Sequence, residues 1–253
     1  MQTSALTACA NCGATLAGPY CAQCGQRSDD LGRGVWALLV ESWHEVVGVE
    51  GRLPSSLRLL GSRPGQLTTE YIAGRRARYT SPVRLYLVTS AAYFIVFRLT
   101  RGVDQRYYGL VDGIASSYYD ALATTFILLL PALAIVLWLL HAGSRRASIY
   151  HLVFALHTGA AGLIWALVLT LITFGFKLVW QHHTRAPSWL PDFAFWLYAP
   201  GLVLFAGYVM LALRRTYDSG SAASAIRAML VLASVVAALF LLTPVLLNLL
   251  AFA

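Results

Sequence analysis

Charge is scarce in this chain. Charged residues make up 12% of its 253 positions, about half the usual globular share. A soluble domain of this size is excluded, and the 58% hydrophobic content points to a membrane. Lysine is almost missing: Lys177 is the only one, so the net charge of +8 rests on arginine. Such usage fits a GC-rich genome, with guanidinium recognition of lipid headgroups as the sharper alternative. Acidic residues are absent between Ala121 and Pro191, and Asp120 and Asp192 stand at span ends. The apolar runs therefore hold no buried carboxylate, which weighs against proton-coupled pumps and intramembrane aspartyl proteases. No GxSxG, P-loop or GxGxxG motif is present. The pair His44-Glu45 begins a metalloprotease-like HExxH but fails at Gly48. No internal repeat divides the chain into halves, which weakens a secondary-transporter reading. The opening MQTSALTACA has neither a basic n-region nor an apolar h-region. The amino terminus is therefore expected in the cytoplasm, where thiols stay reduced.

Cysteine is sparse too, but concentrated. All four cysteines fall in the stretch CANCGATLAGPYCAQC, as Cys9-x2-Cys12 and Cys21-x2-Cys24. Gly13 and Gly25 follow the two pairs and allow the tight knuckle that aims backbone N–H groups at thiolate sulfur. Four thiolates supply the tetrahedral shell zinc prefers and leave no position for a reacting water. A structural zinc ribbon is expected, with rubredoxin-like iron as the alternative. So short a segment has almost no core, so metal should supply its folding energy.

Beyond the linker, Val35–Val47 has the periodicity of an amphipathic helix suited to the headgroup layer or to packing on a bundle. Two short helices are expected over Leu53–Gly61 and Pro64–Ala73. From Arg52 to Arg84 there are seven arginines against one acid, Glu70. Ser81-Pro82 should open the first span, with serine as N-cap. Five spans follow: Val83–Leu99, Ala121–Leu140, Ile149–Trp180, Phe193–Leu213 and Ala228–Leu250. The third is too long for one upright crossing, about 48 Å at 1.5 Å per residue. Thr100–Asp120 reads as a tyrosine-rich loop and Arg214–Arg227 as a polar turn. Pro131 and Pro200-Gly201 suggest kinks or breaks. Arg145, Arg146, Arg214, Arg215 and Arg227 place their loops on the same side as the ribbon by the positive-inside rule. The carboxy terminus is then external. The expected fold is an all-α integral membrane helical bundle of about five transmembrane helices with a small N-terminal four-cysteine zinc ribbon. Its parts are the ribbon (1–28), amphipathic helices with an Arg-rich connector (29–81) and the bundle (82–253).

His151 and His157 lie on one span, roughly 120° apart around its axis, so they do not share one small site unless the helix distorts. Each either satisfies a local polar partner or serves a function. The small patch Thr158, Gly159, Ala160 and Gly162 suits close helix packing. Outside, His182, His183 and Asp192 make a poor metal set, because adjacent histidines point apart.

The ordered motifs resemble a bacterial membrane-protein family, domain of unknown function 3667. They are Cys21-Ala22-Gln23-Cys24-Gly25-Gln26, Arg63-Pro64-Gly65, Tyr71-Ile72-Ala73-Gly74-Arg75-Arg76, Tyr79, Pro82, the run His151 to His157, and Arg214-Arg215-Thr216-Tyr217. Gly74-Arg75-Arg76 stands where the family usually has Gly-Lys-Arg. The resemblance implies a membrane protein with a zinc-ribbon head and no established activity, and it raises the interest of His151 and His157.

The reading that follows is a non-enzymatic protein of a bacterial inner membrane. Cys9, Cys12, Cys21 and Cys24 bind structural zinc, and the ribbon is a structural or partner-docking module at the cytoplasmic face. Arg75, Arg76 and Arg78 hold the connector at lipid; no nucleic acid is involved. A transporter or channel subunit for a small solute is the alternative. A lipid-acting enzyme at the cytoplasmic face, using His151 or His157 with Tyr217 or the Arg75–Arg78 cluster, is the second.

Overall fold

The computed structural model describes residues 8–28, 51–108, 112–141, 148–180 and 190–251. The expected helix Val35–Val47 lies outside them. Among the described residues there are seven helices: α1 Leu53–Ser62, α2 Gln66–Ile72, α3 Pro82–Tyr108, α4 Asp112–Leu140, α5 Ser148–Trp180, α6 Leu190–Tyr217 and α7 Ser221–Ala251. The only pairing of extended backbone described consists of two isolated bridges in the cysteine segment.

Four stretches are long and apolar enough to cross a membrane: Pro82–Thr100, Ser148–Phe176, Leu197–Tyr217 and Ser221–Val245. Helix α4 adds the shorter apolar stretch Thr124–Leu140. The large apolar side chains on the outer faces, such as Leu99, Val203 and Leu241, are well exposed. Hydrocarbon, not water, suits such a surface.

Helix α5 is the centre of the bundle. Of its span, 56% is buried inside the protein, against 28%, 22% and 18% for the other three. The reason is in its sequence. Ile149, Val153, Leu156, Ala160 and Leu163 recur at three- and four-residue spacing and pack with Leu85, Tyr86 and Tyr93 of α3. Phe154 and Ala155 face the other way, onto Leu133 and Leu137 of α4 and Val209, Ala212 and Leu213 of α6. The expected small-residue patch performs as packing surface. A Cβ at Gly159 would meet the Tyr86 ring at 3.0 Å, and one at Gly162 would meet Phe205 of α6 at 3.2 Å.

Several local expectations are corrected. The loop Thr100–Asp120 is mostly helix, because α3 continues to Tyr108 and α4 starts at Asp112. The polar segment 101–108 has no proline, so the backbone ladder continues past the apolar stretch. The turn Arg214–Arg227 shrinks to residues 218–220 for the same reason. Asp218 at φ 50° ends α6 in the left-handed conformation an aspartate tolerates. Pro200-Gly201 does not break its span, because Pro200 lies inside a continuous helix, as do Pro131 and Pro244. Ser81 does not cap with its hydroxyl. Its carbonyl accepts the Leu85 N–H at 2.9 Å, while its Oγ is buried without a partner.

Candidate functional site

The cysteine segment is built twice over. In the first half Gly13 N–H donates to the Cys9 carbonyl, Cys9 N–H donates to the Ala14 carbonyl, and Ala8 bridges Thr15. In the second half Gly25, Cys21, Gln26, Tyr20 and Arg27 repeat that pattern. Both knuckle glycines have positive φ, 77° and 69°. The two halves bring the thiols together. Cys9 Sγ lies 3.6 Å from Cys24 Sγ, Cys12 Sγ lies 3.5 Å from Cys21 Sγ, and all four sulfurs fall within 4.8 Å of one another. Thiolates bound tetrahedrally at about 2.3 Å from a metal stand about 3.8 Å apart. The donor set therefore fits a metal ion, and the four cysteines are free thiols available for it.

The Gln26 side chain fastens this head to the rest of the protein. Gln26 Nε2 donates to the Gly74 carbonyl at 2.6 Å, and Gln26 Oε1 accepts the N–H groups of Arg76 and Ala77 at 3.1 and 3.0 Å. Gly74 is needed for two reasons. Its φ is 84°, and a Cβ there would lie 2.8 Å from the Ala10 Cβ in the ribbon.

The expected basic cluster divides by role. Arg75 is engaged by Glu70, with Nε to Oε2 at 2.5 Å and Nη2 to Oε1 at 3.1 Å. Arg76 sits over the Tyr71 ring, 5.4 Å from its centroid, with its Nε buried. Arg78 is exposed, as are Arg58 and Arg63. Hydrogen bonding from Arg75, against opposing burial, holds the Glu70 carboxyl below its ordinary range. A depressed carboxylate contributes stability that is complete above its unfolded value and is lost as pH falls through the folded one. Glu70→Gln is therefore expected to flatten the acid limb of the unfolding profile and to change the neutral plateau by under about 1 kcal/mol. An acid limb as steep in the variant as in the wild type would contradict this.

Helix α2 is wedged between α5 and α6. Thr68 Oγ1 lies 2.9 Å from His157 Nδ1, and the Tyr71 ring meets the His157 ring edge-on at 6.2 Å. On the other side a Cβ at Gly65, where φ is 76°, would fall 2.6 Å from the Ala212 carbonyl. Thr216 Oγ1 donates to the Gly65 carbonyl at 3.4 Å, Arg215 Nη1 to the Pro64 carbonyl at 2.8 Å, and Tyr208 to the Leu60 carbonyl at 2.9 Å.

His151 serves a different junction. Its Nδ1 lies 2.9 Å from the Tyr217 hydroxyl, and the two rings are nearly parallel at 5.6 Å. His141, at the end of α4, stacks on Tyr217 at 3.8 Å, and its ring lies 5.8 Å from that of His151. Its Nδ1 donates to the Leu137 carbonyl at 2.9 Å. All three histidines are buried. His151 thus joins α5 to α6 and α4, whereas His157 joins α5 to α2. The sequence places the two histidines on different faces, and the structure gives them different partners.

Sequence reasoning did not find His141, Thr68 or Gln26 as contact residues. His141 stands as a lone polar residue at the end of an apolar run, a usable signal. Gln26 carries one as well, following the second knuckle glycine directly.

The fold and the four-thiol cluster define a multi-pass α-helical membrane protein with a metal-competent head. Residues 50–94 match the sequence model of the family described as protein of unknown function (DUF3667). That is the family the motifs resemble, and the matched stretch is α1, α2, the arginine turn and the first half of α3. No curated protein and no solved structure matches the chain.

Proposed function

We propose that this is a non-enzymatic membrane protein in which a zinc ribbon serves as a docking or assembly module on a helical bundle. The head is residues 1–28, the connector 29–81 and the membrane anchor 82–253. The observation that carries the reading is the four-sulfur cluster, whose shell is filled by protein ligands alone. Such a shell suits zinc held for structure. When bound, zinc supplies the folding energy that so small a segment lacks. The head is fixed to the connector by Gln26 and the connector to the bundle by α2, so a partner bound at the ribbon is held in a set position. Positive-inside charge supports a cytoplasmic head in a bacterial inner membrane, with the last of five spans ending outside. Of the basic residues, exposed Arg78, Arg58 and Arg63 are better placed for lipid phosphate than Arg75, which Glu70 engages.

Metal analysis of the purified full-length protein should find one zinc per chain. Cys9→Ser and Cys21→Ser should each lose it and leave the head open to proteolysis. Protein purified without stoichiometric zinc, or cysteine variants with an intact head, would refute the reading.

A further inference from the structure

We infer that Gln26 makes the seating of the connector on the membrane helices depend on metal at the ribbon. The inference rests on the zinc-ribbon reading above. Gln26 belongs to both structures at once. Its backbone is part of the second knuckle, where its carbonyl accepts the Cys21 N–H at 2.8 Å. Its side-chain amide makes the three hydrogen bonds to the turn Gly74–Ala77. An amide can donate and accept at once, and this one does both along a single stretch of backbone.

The turn is in its own right the end of α2. Gly74 N–H donates to the Tyr71 carbonyl at 3.1 Å and Arg75 N–H to the Glu70 carbonyl at 3.0 Å. Tyr71 and Thr68 then meet His157 in the central span. The path runs from knuckle to Gln26, to turn, to α2, to α5, with a named contact at each step. Without metal, a segment with no core of its own loses its fixed shape. The Gln26 backbone is then no longer held, and its side chain must be ordered at an entropic cost before it can bond the turn. The Ala77 N–H loses its acceptor, and the Arg76 N–H keeps only the Gly74 carbonyl at 3.1 Å.

The test is hydrogen exchange on the full-length protein in nanodiscs, with zinc content measured on the same samples. In the zinc-loaded protein, the Arg76 and Ala77 amides should be protected. Removing zinc with a chelator should speed their exchange about tenfold, as expected from one or two lost hydrogen bonds. Exchange across Gln66–Ile72 should rise with it. Gln26→Ala should retain zinc, show the faster exchange already when loaded, and gain nothing further from the chelator. Retained zinc shows that the variant ribbon is folded. If Gln26→Ala exchanges like the wild type, or if the chelator still accelerates exchange in it, the link does not run through Gln26. If zinc binds but its removal leaves residues 66–77 unchanged, the coupling is wrong while the zinc ribbon stands. If no zinc binds, both fall together.

Discussion

Gly65→Ala is expected to unseat the connector from the bundle and to lower stability by about 3 kcal/mol or more. Two costs add at this position. The backbone has φ of 76°, where an L-residue is disfavoured by about 1–2 kcal/mol. The new methyl would also sit 2.6 Å from the Ala212 carbonyl oxygen and 2.9 Å from its Cα. Those atoms belong to the backbone of α6 and cannot swing aside like a side-chain tip. Relief requires α2 to lift, which strains the Arg215–Pro64 and Thr216–Gly65 contacts and separates Thr68 from His157. Unfolding in mixed micelles, with trypsin cleavage after exposed Arg58 and Arg78 as a local readout, measures the effect. Gly61→Ala is the control. No atom lies within 4 Å of a Cβ built there, and inside a helix alanine is neutral or favourable. A Gly65→Ala protein as stable and as protease-resistant as Gly61→Ala would disprove the wedge.

Tyr217 should show the second large effect, and two substitutions separate its causes. Tyr217→Ala removes the ring stacked on His141 at 3.8 Å and packed edge-on against Phe154 at 5.4 Å. Loss of a buried ring of this size costs about 3–5 kcal/mol. Tyr217→Phe keeps the ring and deletes only the hydroxyl that meets His151. Hydrogen bonds between membrane helices average about 0.6 kcal/mol, so the phenylalanine protein should be nearly as stable as wild type. That ordering marks a packing junction among α4, α5 and α6. Equal damage from both substitutions would instead assign the hydroxyl a role beyond packing.

Much of this architecture is readable from sequence because its signals are local. Cysteine spacing alone forecasts the thiol cluster. Apolar run length forecasts the long helices, and the small residues after His157 forecast the tight contacts of Gly159 and Gly162. The errors came where a local rule had no opposing signal. Polar residues 101–108 read as loop, yet nothing in them stops a helix already under way. Ser81 has the identity of an N-cap but lies buried, with only its carbonyl engaged. The contacts that unite the molecule are harder to read. Thr68 meets His157, Pro64 meets Arg215 and Gln26 meets Gly74 across 89, 151 and 48 positions. No helical period or turn rule relates residues so far apart. The resemblance drew attention to several of them as motifs without saying that they touch.

The wedge also imposes an order of assembly. The connector is synthesised before the bundle, but Gly65 finds Thr216 only 151 residues later. At about 5–20 residues per second, the ribosome needs about 8–30 s to cover that interval. Through that time Leu60, Leu67 and Tyr71, which end buried, lack α6, and until α5 has been made they lack that helix as well. A nascent chain halted before α6 should therefore expose the connector to protease or chaperone, and release past Tyr217 should close it.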